Sequence, residues 1–430
     1  MKVIFSLTLF LLVYNIFAQS PWLATTSTLI SRYDDISFIS PDTGWAAGGS
    51  DGFISHTTNG GATWSIQKNL PGVYPSGGYV RSIEFANKNI GFAGGLEFSG
   101  QNVFFKTTDG GVNWTDISSV ITGTARGICG ICCVNTNVTY AVGAFTTPAY
   151  VLKTIDGGVT WTQINMGAYA GALVDVQFID ANNGYVTGHS NISSEGAVIL
   201  KTTDGGVTWT KVFTSNVTGE YVWKIQNLNG TNWYASIEAA VLAATTTNNV
   251  FLKSVNGGNT WISKPVGIGH HFQGIGFIDT LRGWIGNNEL FETNDGGNSW
   301  TDISSFTTMN QFDRFQRVNA TTAYFSSSKI YKLANPNGIK ESTTKTTKID
   351  WLKIYPNPAK EKIKFHLDLP HKTMFVARLF NSKNEIIWEE VNQKEKGKHD
   401  VLIPLKLESG IYYVYIMFSE GIECKKVIVE

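Results

Sequence analysis

Charge is what this chain has least of. Asp, Glu, Lys and Arg make up 16% of its 430 residues, and 34 basic side chains balance 34 acidic ones. Zero net charge leaves no electrostatic footprint for nucleic acid or for an anionic membrane. Long apolar runs are missing after the first twenty residues, so no later segment is expected to span a bilayer. Lys, Glu and Leu are too few for a helical bundle, and 13% aromatic residues are too many for a disordered chain. Glycine is abundant, at 44 residues, alongside Thr, Asn, Trp and Tyr. That mixture makes short strands and tight turns, hence an all-β protein.

The charge is unevenly spread. Residues 19–334 carry 17 basic and 21 acidic side chains, whereas the much shorter 340–430 carries 16 and 13. The jump marks a domain boundary, and the stretch 335–349, rich in Ser, Thr, Asn and Lys without apolar periodicity, reads as a linker. The chain begins with Lys2, an apolar run from Val3 to Val13, and Ala18 before Gln19. That order fits a signal peptide over 1–18 cleaved after Ala18. An anchor helix, the alternative, would need about 20 apolar residues.

One turn recurs six times. Thr57-Thr58-Asn59-Gly60-Gly61-Ala62-Thr63-Trp64 returns around Asp109 and Trp114, Asp156 and Trp161, Asp204 and Trp209, Asn256 and Trp261, and Asp295 and Trp300. The tryptophans are 50, 47, 48, 52 and 39 residues apart, the period of a propeller blade. The Asp or Asn accepts backbone N–H groups inside the turn, the glycines supply backbone angles closed to other residues, and the Trp packs between neighbouring sheets. These acids are therefore expected to form turns rather than to catalyse or bind metal. Upstream of each turn lie short strands such as 35–39 and 44–48, four strands per unit. After Trp300 three more strands follow without a seventh turn, and Trp22, near the start of the mature chain, supplies the missing outer strand. A seven-bladed β-propeller over 19–334 is expected, closed by its N-terminal strand, because closure removes an exposed edge.

These six turns resemble the Asp-box, or bacterial neuraminidase repeat, and the blade bodies resemble propellers of the photosystem II assembly-factor type. The resemblance implies the fold far more than a function, since such blades occur in sialidases, xyloglucanases, receptors and assembly factors. From 350 to 430, Tyr355-Pro356-Asn357-Pro358, then Gly410-Ile411-Tyr412-Tyr413-Val414, then the terminal Lys425-Lys426-Val427-Ile428-Val429 follow one another in order. Seven alternating strands imply a small immunoglobulin-like β-sandwich, and the three landmarks resemble the type A sorting domain of the type IX secretion system. That resemblance implies a partner, the secretion machinery, and a location, secreted or on the cell surface. An unrelated accessory sandwich is the alternative. Cleavage of the sorting domain is expected within the linker.

Chemistry is harder to find. Cys129-x-x-Cys132 has neither a second such pair nor a His pair near it in sequence, and buried thiols are expected. His270-His271 falls in a loop. No metal or cofactor is expected. Function should lie on the face where the innermost strands begin, called here the upper face, because its loops (70–79, 96–102, 145–150, 165–172, 189–196, 238–249, 264–271) vary in length. They carry Tyr74, Tyr79, Phe98, Phe145, Tyr150, Tyr169, His189 and His271. Aligned innermost strands place Asp34, Arg81, Arg126, Val174, Trp223, Gln273 and Asp313 around the channel mouth, as a rim that could bind a polar ligand or simply pair its own charges. A sialidase would need three Arg on the substrate and an Arg-Ile-Pro start, which is absent. A xyloglucanase-like hydrolase would need two facing carboxylates, for which Asp34 and Asp313 are the candidates. The leading expectation is a non-catalytic propeller that binds a glycan or protein, with a secreted glycoside hydrolase as the alternative and an assembly chaperone third.

Overall fold

The computed structural model describes residues 22–25, 32–67, 70, 78–96, 102–123, 127–143, 148–238, 250–267, 272–304, 311–333, 352–360, 363–369, 373–381, 386–403, 407–418 and 421–430. The expected signal peptide, the linker 335–349, Arg126 and His270-His271 lie outside them. Contacts divide the chain into two units, Met1–Pro336 and Asn337–Glu430.

In the first unit the described residues form seven four-stranded antiparallel sheets. Their innermost strands are Asp35–Phe38, Tyr79–Phe85, Gly130–Cys133, Ala170–Phe178, Tyr221–Asn227, Gly274–Phe277 and Phe315–Arg317, taken here as belonging to sheets 1 to 7. Each innermost strand touches the next, and the last touches the first, so the sheets close a cycle. Sheet 7 takes its outer strand from the other end of the unit: Trp22–Ala24 pairs antiparallel with Ile330–Leu333, Trp22 opposite Leu333. Trp22 is buried, with its ring edge-on to Trp284 at 4.9 Å and to Phe325 at 4.7 Å. Thr25 extends the closure, donating to the Ile330 carbonyl at 2.9 Å and accepting from Trp64 Nε1 of sheet 1 at 3.2 Å.

Neighbouring sheets pack through a repeated aromatic pair. A Phe near the end of an innermost strand stacks on a ring from the second strand of the preceding sheet: Phe38 on Tyr324, Phe85 on Trp45, Phe178 on Tyr140 and Phe277 on Tyr234, with centroids 3.6–3.7 Å apart. The same Phe also lies over the glycine that opens the next strand. A Cβ on Gly184 would sit 2.3 Å from the Phe178 ring, which is why glycine precedes the aromatic there.

The six box turns are closed networks. In the third, Thr154 Oγ1 donates to Asp156 Oδ1 at 2.8 Å and accepts from Gly158 N at 2.8 Å. The backbone N–H of Thr160 returns to Asp156 Oδ1 at 2.9 Å. The same bonds recur around Asn59, Asp109, Asp204, Asn256 and Asp295. Both glycines of the turn have positive φ, 71° and 79° at Gly157 and Gly158, the region where L side chains are strained. Five of the six box tryptophans stand edge-on to phenylalanines, as Trp64 does to Phe38 at 6.0 Å and Trp161 to Phe104 at 5.0 Å.

The second unit holds a three-stranded sheet (Leu352–Ile354, Lys364–Leu369, Gly397–Leu402) and a four-stranded one (Thr373–Phe380, Ile386–Lys394, Gly410–Phe418, Gly421–Val429). Phe365, Leu367 and Leu369 of the first sheet share one core with Leu379, Val414 and Val427 of the second. Asn357 ties the Tyr-Pro-Asn-Pro segment to the last strand, accepting from Ile428 N at 3.0 Å and donating to the Lys426 carbonyl at 2.9 Å.

Candidate functional site

An innermost strand has a neighbour in its own sheet on one side only, so its other edge leaves backbone groups in need of partners. Side chains from the adjacent innermost strand supply them. Asp35 Oδ2 accepts from Ile83 N at 3.1 Å, Ser37 Oγ from Phe85 N at 3.0 Å, and Asp175 Oδ2 from Ile225 N at 3.0 Å. Gln226 and Gln316 do the same for Phe277 and Phe38 at 2.7 and 2.6 Å. Cys132 belongs to this set: its sulfur accepts from Phe178 N at 3.3 Å, and burial pushes the thiol up to about 12. Cys129 and Cys132 are both buried, and neither is in a disulfide.

Two carboxylates of this stitching also anchor a guanidinium that spans the channel. Arg314 of sheet 7 meets Asp35 of sheet 1 at 2.7 Å through Nε, and Asp175 of sheet 4 at 2.8 Å through Nη2 and 3.1 Å through Nη1. Burial would raise the Asp175 carboxyl, but Arg314, Lys224 and the Ile225 N–H outweigh it and hold it below its ordinary value.

The expected rim residues come together in part. Arg32 Nη2 lies 2.7 Å from Asp34 and 2.9 Å from Asp313, while Arg81 Nη1 meets Asp34 at 2.9 Å. Arg81 also sits over the Trp223 ring, 5.3 Å from its centroid. Trp223 and Val174 pack with Cys129 in a small apolar cluster. Gln273 instead donates to Glu238 Oε1 at 3.0 Å. These side chains do not form an open rim: Asp34 is 0% and Asp313 1% exposed. Burial raises Asp313 to about 7, with Arg32 opposing the rise.

Strand irregularity re-aims three of the other aligned side chains. Register shifts fall at Arg81, Val174 and Trp223, where two residues oppose one on the neighbouring strand, and such bulges re-aim side chains. In sheet 3 the pairing of Gly130 with Val142, and the bond from Cys129 N to the same Val142 carbonyl, put Cys129 at the position equivalent to Asp34. The sequence alignment had placed Arg126 there.

Beyond Arg314, toward the ends of the innermost strands, lies a cavity of about 220 Å³ lined by Glu84, Lys224, Asn227, Arg314 and Arg317 among others. It faces the lower side, not the upper side where loop variation points. Of the upper-face loop residues, Tyr74, Phe98, Phe145 and His271 lie outside the described residues. Tyr150 is buried and donates to the Gly127 carbonyl at 2.6 Å. His189 stacks on Tyr221 at 5.1 Å, both half-buried, while Glu195 holds Lys211 at 2.5 Å on the opposite face of sheet 4. Among the described residues no cluster of His, Cys, Asp and Glu could hold a metal ion.

No curated protein sequence matches the chain. Residues 15–164 match the family described as photosynthesis system II assembly factor YCF48, and residues 353–430 match the secretion system C-terminal sorting domain. Among solved structures, YCF48 bound to a D1 peptide is 16% identical with a TM-score of 0.55, covering 73% of this chain and 96% of that one. YCF48 from Cyanidioschyzon merolae is 17% identical with a TM-score of 0.55, over 73% of this chain and 98% of that one. The GH74 xyloglucanase from Xanthomonas campestris is 12% identical with a TM-score of 0.53, over 81% of this chain and 59% of that one. No helix among the described residues is long and apolar enough to cross a membrane. The chain thus joins a β-propeller of bacterial-neuraminidase-type repeats, similar to that of the YCF48 assembly factors, to a type IX secretion sorting domain that directs it to the outside or the surface of the cell.

Proposed function

We propose that this is a secreted or surface-held, non-catalytic, seven-bladed propeller that binds a glycan or protein through its upper-face loops. In this reading an immunoglobulin-like C-terminal sandwich over 350–430 engages the secretion machinery. The observation that carries the non-catalytic part is the state of Asp34 and Asp313. Both carboxylates are buried and engaged by arginines, so neither is presented to a substrate. In this reading the half-buried His189–Tyr221 stack belongs to the binding surface; an aromatic ring face beside a histidine suits a sugar or a polar protein patch.

A polysaccharide and glycan array probed with the secreted chain tests this reading. Retention that falls about tenfold or more in Tyr221→Ala is the expected result. Retention unchanged in that variant, or no retained ligand, glycan or protein, overturns it. The second reading, a glycoside hydrolase using Asp34 and Asp313, draws on the xyloglucanase likeness. It requires Asp34→Asn to abolish turnover.

A further inference from the structure

Lys224 helps hold Asp175 ionised by its charge, yet it takes no part in the hydrogen-bonded stitching. It is 2% exposed, lines the lower cavity, and its Nζ has no hydrogen-bond partner among the described residues. A buried ammonium without partners costs several kcal/mol, roughly the effective penalty per desolvated ion. Asn227, three residues further down the same strand, lines the same cavity. Its Oδ1 accepts from Gly230 N at 3.0 Å, whereas Nδ2 is buried without a partner among the described residues. Two unused donors, one charged, therefore border one space. That space would hold several waters, at about 30 Å³ each in the liquid. Its exposure rises from buried Lys224 to half-buried Asn227 and Arg317, so it opens at the lower face.

The surrounding charges limit what fits. Lys224, Arg314 and Arg317 face Asp35 and Asp175, and Glu84 is held largely neutral because burial and Asp35 raise it to about 8. The Arg32, Asp34, Arg81 and Asp313 group at the upper end pairs within itself. Burial also lowers Lys224 to about 8, so near pH 7 the surplus is at most one positive charge, which favours a monoanion over a dianion. A carboxylate has two acceptor oxygens for the two unused donors.

We propose that the lower half of the channel is a binding site for a small organic monocarboxylate, seated between Lys224 Nζ and Asn227 Nδ2. This site is distinct from the upper-face loops and does not depend on what they bind. Titration calorimetry on the full chain with acetate, D-glucuronate, D-glucose and inorganic phosphate tests it. Acetate or D-glucuronate should bind, with D-glucose silent and phosphate weaker. Lys224→Met should lose about tenfold or more in affinity, the worth of a charged hydrogen bond. Its melting temperature should hold or rise, since burial of the ammonium outweighs its attraction to Asp175 and Asp35, which separates lost binding from lost folding. Asn227→Asp keeps the bond to Gly230 but sets an anion against the ligand, and should also weaken binding. Neither carboxylate binding, D-glucose binding as well as D-glucuronate, or wild-type affinity in Lys224→Met would each overturn the assignment.

Discussion

The acids of the box turns and the acids of the channel wall are stabilised in opposite ways. Asp156, Asp204 and Asp295 stand in water and are kept ionised by bonds from residues two to four positions away. Asp35 and Asp175 are buried and depend on Arg314, which lies 279 and 139 residues away in sequence. The first kind costs little to build and repeats easily, since each turn carries all its own partners. The second kind exists only once the cycle of sheets has closed, because its partners sit on sheets 1, 4 and 7. Local turns shape each blade, while distant ion pairs lock the blades to one another.

The largest test of that contrast is Arg314→Met. It leaves Asp35 and Asp175 buried with their guanidinium gone and only Lys224 as a nearby countercharge, and should cost about 3–5 kcal/mol by chemical denaturation. A loss no larger than that of a box-turn variant would erase the distinction. Next comes Trp22→Ala, which empties the contact with Trp284 and Phe325 across the closing seam. A loss of about 3 kcal/mol is expected, read as a lowered denaturation midpoint.

A smaller effect separates the two classes by pH. Glu84 has its carboxyl raised from 4.5 to about 8. Between those values the unfolded chain gives up a proton that the folded chain keeps, so stability falls as pH rises through that range. Glu84→Gln should flatten this slope in melting curves at pH 5, 7 and 9. The smallest effect belongs to the box. Asp204 is lowered from 3.8 to about 2 by Thr208 and Thr202, so its contribution is whole above pH 4 and fades as pH falls toward 2. Asp204→Asn should barely move the melting temperature at pH 7, because Asn59 and Asn256 already build the same turn, and should reduce the loss seen at pH 3.

How much of this was legible in the sequence follows the same division. The six turns could be read because Thr, Asp, Gly-Gly and Trp sit within eight residues of one another and satisfy each other locally. The closing role of Trp22 was legible as a missing outer strand. Asp34, Arg81 and Asp313 lie together in one ion-paired group, but their burial was not foreseen. Bulges at Arg81, Val174 and Trp223 break the two-residue alternation that the alignment assumed, and Arg32, just ahead of the first aligned strand, supplies the charge that binds two of the acids. Asp35, Asp175, Lys224 and Arg314, one position further along, were missed altogether. Their signal was a charged residue interrupting otherwise apolar innermost strands, and only the cycle of sheets reveals which pairs with which.

The most direct test of the central claim, that this exported propeller holds a ligand without cleaving it, is a reducing-end assay on the secreted chain incubated with the polysaccharides it retains. The account predicts retention with no new reducing ends over the no-protein control. Reducing ends that accumulate with the wild-type chain and vanish with Asp34→Asn would contradict it.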